Sequence, residues 1–346
     1  MQIRKNKRES NIELLRFIAM MMVLAVHANF FAIGTPSTIN CSEHFDNAAA
    51  RIIFESMSIV CVDVFILISG WFGIKSSMRG FSNFVFQCLF FLIGIYVVVV
   101  IIGIRDLSIK GLAECLVLTK SNWFIKAYIG LYLLSPVLNS FVEKADKLTF
   151  RNVLVAFFIF QTIYGWISNA AVFFEMGYST ISFIGLYLLA RYVRIHESQM
   201  TNMPSFFYIL IYLFFSFILS FISFGGIYFD FIVISARMYS YINPIVILSV
   251  LSLLLFFNSL CVKSRVINWF AASSFAVFLL HSNPNILQNY FVRYVKIIYN
   301  QFDGFLCLTI LLVFISFIAI IAVLIDQIRI VIWRRVFLKY IFKSQK

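Results

Sequence analysis

The sequence predicts an all-α integral membrane protein, a bundle of about ten transmembrane helices with both termini cytoplasmic. Three observations lead there. Hydrophobic residues make up 62% of the 346 residues and charged residues only 12%, against roughly 45–50% and about 25% in soluble domains. The apolar runs are long and lack strict period-two alternation, which favours helices over a β-barrel. The third observation is where the basic residues fall. Of the 28 Lys and Arg, 19 lie in the termini and in the loops on their side, 8 lie on the opposite side, and Arg16 sits inside the first helix. The positive-inside rule therefore places the termini in the cytoplasm. A net charge of +13 would suit nucleic acid if it were gathered on a soluble face. Scattered through short loops it argues for orientation in a lipid bilayer and against a nucleic-acid partner.

The first span, residues 11–31, reads NIELLRFIAMMMVLAVHANFF. At about 1.5 Å per residue it crosses a hydrocarbon core of about 30 Å. Its basic approach resembles a signal peptide, but the run is too long and no small-x-small cleavage site follows, so a retained span is expected. A polar loop, 32–50, leads to the second span, 52–72, which carries Glu55 near one end and Asp63 near the middle. The basic loop 75–80 separates it from the third span, 81–104, which has no ionisable residue. A mixed loop, 105–122, precedes the fourth span, 123–141, and the charged turn 143–151 leads into a fifth that ends near Trp166. The sixth, 178–192, is short, and Arg191, Arg194 and His196 mark its exit. The seventh covers 205–224, and a connection through Gly225, Gly226, Asp230 and Arg237 reaches the eighth, 241–260. Lys263 and Arg265 divide that from the ninth, 266–280, which ends in His281. Residues 282–301 are aromatic enough for an interface, the tenth span covers 305–324, and a basic tail closes the chain. Residues 1–346 read as a single transmembrane domain with no appended soluble domain and no inverted repeat.

The six cysteines form no CxxC pair, so no metal site is expected. Cys61, Cys88 and Cys261 read as small core residues. Cys41 and Cys115 fall in loops on one side, where a disulfide would require a proximity that sequence cannot show.

Ionisable groups inside a spanning helix are costly, so their default reading is functional and inward-facing. Arg16 and His27 are eleven residues apart, which brings them within about 20° of one helical face and about 16 Å apart in depth. Glu13 lies one turn below Arg16. His27 suits a general base, a transient acyl carrier or a proton relay, because imidazole titrates near neutrality; the plainer alternative is an interhelical hydrogen bond. Arg16 and Glu13 are either catalytic or an i, i+3 ion pair. Asp63 would neutralise Arg16, bond a backbone break near Ser69 and Gly70, or shape a pocket. Glu55, at a depth similar to His27, would orient it or touch substrate. Lys75 and Arg79 would bind phosphate groups or serve only as topology determinants. His281 either approaches His27 or caps its own helix.

These residues carry a resemblance. Glu13-x-x-Arg16-x10-His27 resembles the opening helix of the acyltransferase-3 family, bacterial membrane enzymes that O-acylate extracytoplasmic glycans, with Glu in place of the more usual Asp. The stretch Val62-Asp63-Val64-Phe65-Ile66-Leu67-Ile68-Ser69-Gly70-Trp71 is similar to the family's second-helix signature. Trp123-x8-Tyr132-x3-Pro136 resembles its fourth-span block, and Phe278-Leu279-Leu280-His281 resembles the end of its penultimate helix. Two positions depart from the pattern: Tyr128 stands where a glutamate is common, and the Arg-rich loop after the second helix is reduced to Lys75 and Arg79.

The resemblance implies an O-acetyltransferase of the bacterial plasma (inner) membrane. It would move an acyl group from cytoplasmic acetyl-CoA, or a related acyl-CoA, to a hydroxyl of a cell-surface glycan or lipid-linked sugar. Acyl-CoA would be a cosubstrate, with no tightly bound cofactor and no metal. His27, Arg16 and Glu13 would be catalytic, Lys75 and Arg79 would bind the donor, and Glu55, Asp63, Trp123 and His281 would line or orient the pocket. A glycan or small-molecule transporter or flippase using the charges as a relay is the competing reading, and a membrane sensor or scaffold is a further one. Against transport, the ionisable groups concentrate in the first two spans and no pair of broken half-helices is evident.

Overall fold

The computed structural model describes residues 9–119, 122–168, 171–302 and 304–341 and is all-helical, with no strand among them. Ten principal helices follow in order: α1 (Ser10–Ile33), α2 (Phe45–Phe72), α3 (Met78–Ile101), α4 (Trp123–Lys144), α5 (Lys147–Ile167), α6 (Thr180–His196), α7 (Ser205–Tyr228), α8 (Pro244–Ser259), α9 (Arg265–His281) and α10 (Gly304–Phe337). Seven of these, all but α6, α8 and α9, are long and apolar enough to cross a membrane. Of the ten spans expected, seven among the described residues thus reach a crossing length. α6 and α8 have 17 and 16 residues, short of the roughly 20 that a perpendicular crossing needs. α9 is interrupted at Ala272–Ser273, where the Ser274 hydroxyl donates back to the Ala271 carbonyl at 3.0 Å and competes with the helical ladder.

Polar residues immediately ahead of apolar runs set most of the helix starts, because their side chains satisfy exposed backbone N–H groups. Ser77 caps α3, Asp146 caps α5, Ser179 caps α6 and Ser264 caps α9. Asn243 caps α8, with Pro244 as its first helical residue, where a missing N–H costs nothing. α1 ends differently. Its last turn, His27–Ile33, widens to a π-helix and stops at Gly34, whose φ of +101° needs a glycine.

α1 is the inner post of the bundle and touches α2, α8, α9 and α10. Its buried face holds Ile12, Leu15, Ala19, Val23, Leu24 and Ala28, at helical spacing. Asn11 donates to the Phe257 carbonyl at 3.0 Å, so the far end of α8 meets the start of α1 and the two run antiparallel. Ser10 exchanges hydrogen bonds with Ser264 at the start of α9, so α9 runs parallel to α1. α2 and α6 pack closely at Gly70, where a Cβ would run into the Tyr187 carbonyl. Outward faces are apolar, as in Phe214, Phe217 and Phe221 of α7 and Val313, Phe317 and Leu324 of α10, and such faces suit lipid.

α10 runs well beyond the expected end at 324, because Asp326 and Arg329 neutralise each other inside the protein. The two are 0% and 4% exposed and pair through Nε and one terminal nitrogen at 2.9 Å each. Gln87 donates to Asp326 and Arg329 donates to Asn83, both on α3. Arg329, counted among the basic tail from sequence, is thus a buried tie between α3 and α10. Among the cysteines, one expectation is corrected, that for Cys261. Cys41 and Cys115 are unpaired thiols: Cys41 packs on Ala48, Ile52 and Ile227, and Cys115 packs in a different cluster with Cys88 and Phe91. Cys261 is exposed in the α8–α9 turn and is no core residue.

Candidate active site

The register of two parallel helices builds the site. Ser10 meets Ser264 across a separation of 254 residues, and His27 meets His281 across the same separation. The pairing at the starts of α1 and α9 is thus carried to their far ends, and it brings two imidazoles together that lie far apart in sequence. His27 Nδ1 is 2.9 Å from His281 Nε2, with ring centroids 5.0 Å apart and planes inclined at 55°. On the other side His281 Nδ1 is 2.7 Å from the Val277 carbonyl oxygen.

Protons can be assigned along this chain. A carbonyl oxygen only accepts, so His281 Nδ1 carries the hydrogen that it gives to Val277. With one proton per ring, His281 Nε2 is then an acceptor and His27 Nδ1 the donor. His27 Nε2 is left with its lone pair free among the described residues. His281 is 0% exposed and packs against Phe291 and Phe278, so its ring is fixed; His27 is only partly buried. The arrangement is one imidazole held in a single tautomer by another, with the unprotonated nitrogen of the more accessible ring left to work.

The π-helical turn that begins at His27 carries Asn29 toward α2. Asn29 donates to the Glu55 carboxylate at 3.0 Å and to the Arg51 carbonyl at 2.9 Å, and its own side-chain oxygen accepts from Arg51 Nε at 3.0 Å. Arg51 also donates to the Gly34 carbonyl and lies over the Tyr299 ring, 5.3 Å from its centroid. Glu55 is 2% exposed and reaches Asn29, two residues past His27, while the direct partner of His27 is His281.

The opposite end of α1 holds the second charged group. Arg16 Nη1 is 2.8 Å from both Glu13 carboxylate oxygens; the acid is 9% exposed and the guanidinium side chain 31%. The i, i+3 ion pair is therefore present. Tyr128, on α4, lies within electrostatic reach of Arg16 and hydrogen-bonds the Ser69 hydroxyl at 3.3 Å. Lys75 and Arg79 are exposed at the start of α3. Two other cations close that end. Arg194 donates to the Trp71 carbonyl at 2.6 Å and lies over the Trp71 and Phe72 rings. Arg191 lies against Gly73, with its Nε buried and without a hydrogen-bond partner among the described residues. Asp63 is 0% exposed, and neither of its carboxylate oxygens has a hydrogen-bond partner among the described residues. Trp123 meets Tyr178 edge-to-face at 4.5 Å and stacks on Tyr241 at 6.4 Å between centroids. Among the described residues, no group of three His, Cys, Asp or Glu side chains could hold a metal ion.

The structure thus brings His27 and His281 together, and Glu13 and Arg16. It leaves Asp63, Trp123, Lys75 and Arg79 apart from both pairs. Sequence reasoning missed Asn29, Arg51, Arg191 and Arg194. Arg51 and Arg194 carried a signal, since each is a cation flanking an apolar run, but they were counted only for topology. Asn29, inside a span, was the stronger clue. Comparison with known proteins completes the description. A family model described as an acyltransferase domain, that of the acyltransferase-3 family, matches residues 9–324. No curated protein and no solved structure matches the chain.

Proposed function

Because the chain belongs to the acyltransferase-3 family, we propose that it is a multi-pass membrane O-acyltransferase that moves an acyl group, acetyl in the first instance, from cytoplasmic acyl-CoA to a hydroxyl of an extracytoplasmic glycan or glycolipid. The bacterial plasma membrane, with both termini cytoplasmic, is the setting in which donor and acceptor occupy opposite compartments. The observation that carries the reading is the Val277–His281–His27 hydrogen-bond chain, which leaves His27 Nε2 as a free base on a partly accessible ring.

In the proposed reaction His27 Nε2 takes the proton of the acceptor hydroxyl as its oxygen attacks the thioester carbonyl. The C–O bond forms, the C–S bond breaks, and the departing thiolate recovers a proton from the imidazolium. The alternative route passes through an acyl group held briefly on the same nitrogen and then transferred to the hydroxyl oxygen. His281 is a positioning residue: its lone pair holds the Nδ1 proton of His27 and stabilises the imidazolium when it forms.

Distance separates the role of Arg16 from that of His27. About 16 Å of helix lies between them, too far for Arg16 to touch the carbonyl that His27 serves. Arg16 is instead placed to meet an anionic part of the donor, with Glu13 fixing its guanidinium. Arg191 and Arg194 are near the same end of the bundle, and with exposed Lys75 and Arg79 they supply cationic groups for donor phosphates.

The test is acetylation of surface glycans, read by mass spectrometry, in a deletion strain complemented with His27→Ala at wild-type membrane levels. Loss of the acetyl mark is expected. Full acetylation would remove His27 from the mechanism.

A further inference from the structure

Around the Asn29–Arg51 pair, a cavity of about 690 Å³ opens between the end of α1, the start of α2 and the start of α10. Its walls change character along their length. Ala25, Phe54, Leu308, Leu311 and Ile315 make one part hydrocarbon-like, whereas Asp46, Asn47, Arg51 and Tyr299 give the rim polar groups. A smaller pocket of about 60 Å³ shares Asn47, Arg51 and Tyr299 with that rim and adds Asn40 and His44. Ala28 and Asn29, the two residues after His27, belong to the cavity wall.

We propose that this cavity holds the lipid anchor of the acceptor: a hydrocarbon tail in the apolar part and a phosphate-bearing headgroup at Arg51, with the hydroxyl to be acylated carried beyond it to His27. The inference rests on the reading of His27 as the transfer site and narrows the acceptor from any glycan to a membrane-anchored one.

Three features support that occupant. The first is size and lining, since the volume lies within the roughly 300–1,000 Å³ of specific small-molecule sites and most of the wall is apolar. A free sugar chain has nothing to place against Phe54, Leu308 and Ile315. The second is access. Leu308 and Leu312 of the lining are 43% and 45% exposed on the outward side of α10, so a tail can enter sideways from the bilayer without crossing polar surface. The third is charge. Arg51 has no carboxylate within ion-pair distance among the described residues, although Asp46 shares the rim. Its guanidinium is held in place by Asn29, the Gly34 carbonyl and the Tyr299 ring. Glu55 lies within electrostatic reach through the shared Asn29, but a fixed guanidinium with no direct ion pair suits a phosphate better than a neutral headgroup.

The experiment uses purified full-length protein in detergent, with native mass spectrometry of added lipids. The probes are a long-chain prenyl monophosphate and phosphatidylcholine. The wild type is expected to retain the prenyl phosphate about tenfold better than phosphatidylcholine. Arg51→Gln, which removes the charge, and Leu308→Trp, which fills the cavity from an exposed position, should each weaken that binding by about tenfold. Leu324→Trp, on the outward face of the same helix and away from the cavity, should leave it unchanged. Equal retention of both lipids would make this a bulk-lipid site and overturn the proposal, as would indifference to both Arg51→Gln and Leu308→Trp. Selective prenyl phosphate binding by a protein that cleaves no acyl-CoA would leave the lipid site standing and remove the acyl-transfer reading instead.

Discussion

His27 is hydrogen-bonded to a residue 254 positions away. A lone imidazole in a span could hold either tautomer; the His281 lone pair, itself fixed by the Val277 carbonyl, selects the one that leaves Nε2 free. Removing the base should therefore differ from removing its positioning partner. His27→Ala is expected to lower acyl transfer by about 10²–10⁴-fold, the range for a general base, with membrane levels unchanged. His281→Ala should lower kcat by roughly 10–100-fold, as for partners that orient metal-bound histidines, with the KM for the donor unchanged; steady-state kinetics of both variants checks this. Equal and complete loss in the two, with the KM altered, would give His281 a direct contact with substrate. The spacing of Glu13, Arg16 and His27 was legible in the sequence because it lies within one helix. The partner of His27 was not, since spacing along one helix says nothing about register against another. Glu55, expected at a similar depth, is reached by Asn29, whose position the π-helical turn sets.

At the scale of the helices, close approaches and buried pairs decide stability. Gly70→Ala should destabilise the α2–α6 contact by about 1–3 kcal/mol, because the added Cβ meets backbone that cannot rotate away; a lower Tm in detergent is the readout. Asp326→Ala should cost more, roughly 3–5 kcal/mol, by leaving Arg329 buried without its partner, and replacing both residues by apolar ones should recover much of that loss. The apolar runs made the helices themselves legible. Their ends were harder to read. Asp326 and Arg329 look like the exit from a span in a hydropathy count, yet they neutralise each other inside α10. The shorter α6, α8 and α9 were expected as spans, the first of them a short one, because their composition is apolar, and composition does not reveal the break at Ala272–Ser273.

For the whole molecule, the account requires that the two ends of α1 serve opposite compartments, with Arg16 toward the donor and His27 toward the acceptor. Cys261, exposed near the Arg16 end of the bundle, reports this directly. A membrane-impermeant maleimide should label it in inside-out vesicles and not in intact cells, while buried Cys41, Cys88 and Cys115 stay unlabelled. Labelling in intact cells would invert the orientation. The charge count is what leads to expecting that orientation, whereas the cavity at Arg51 had no sequence signal because its walls come from separate stretches of the chain. The central claim, that this helix passes an acyl group from a thioester to a hydroxyl through His27, has one direct test: incubation of purified protein with labelled acetyl-CoA. The account predicts thioester cleavage or label transfer by the wild type and its loss in His27→Ala. Absence of both from the wild type, or equal turnover by the two proteins, would contradict it.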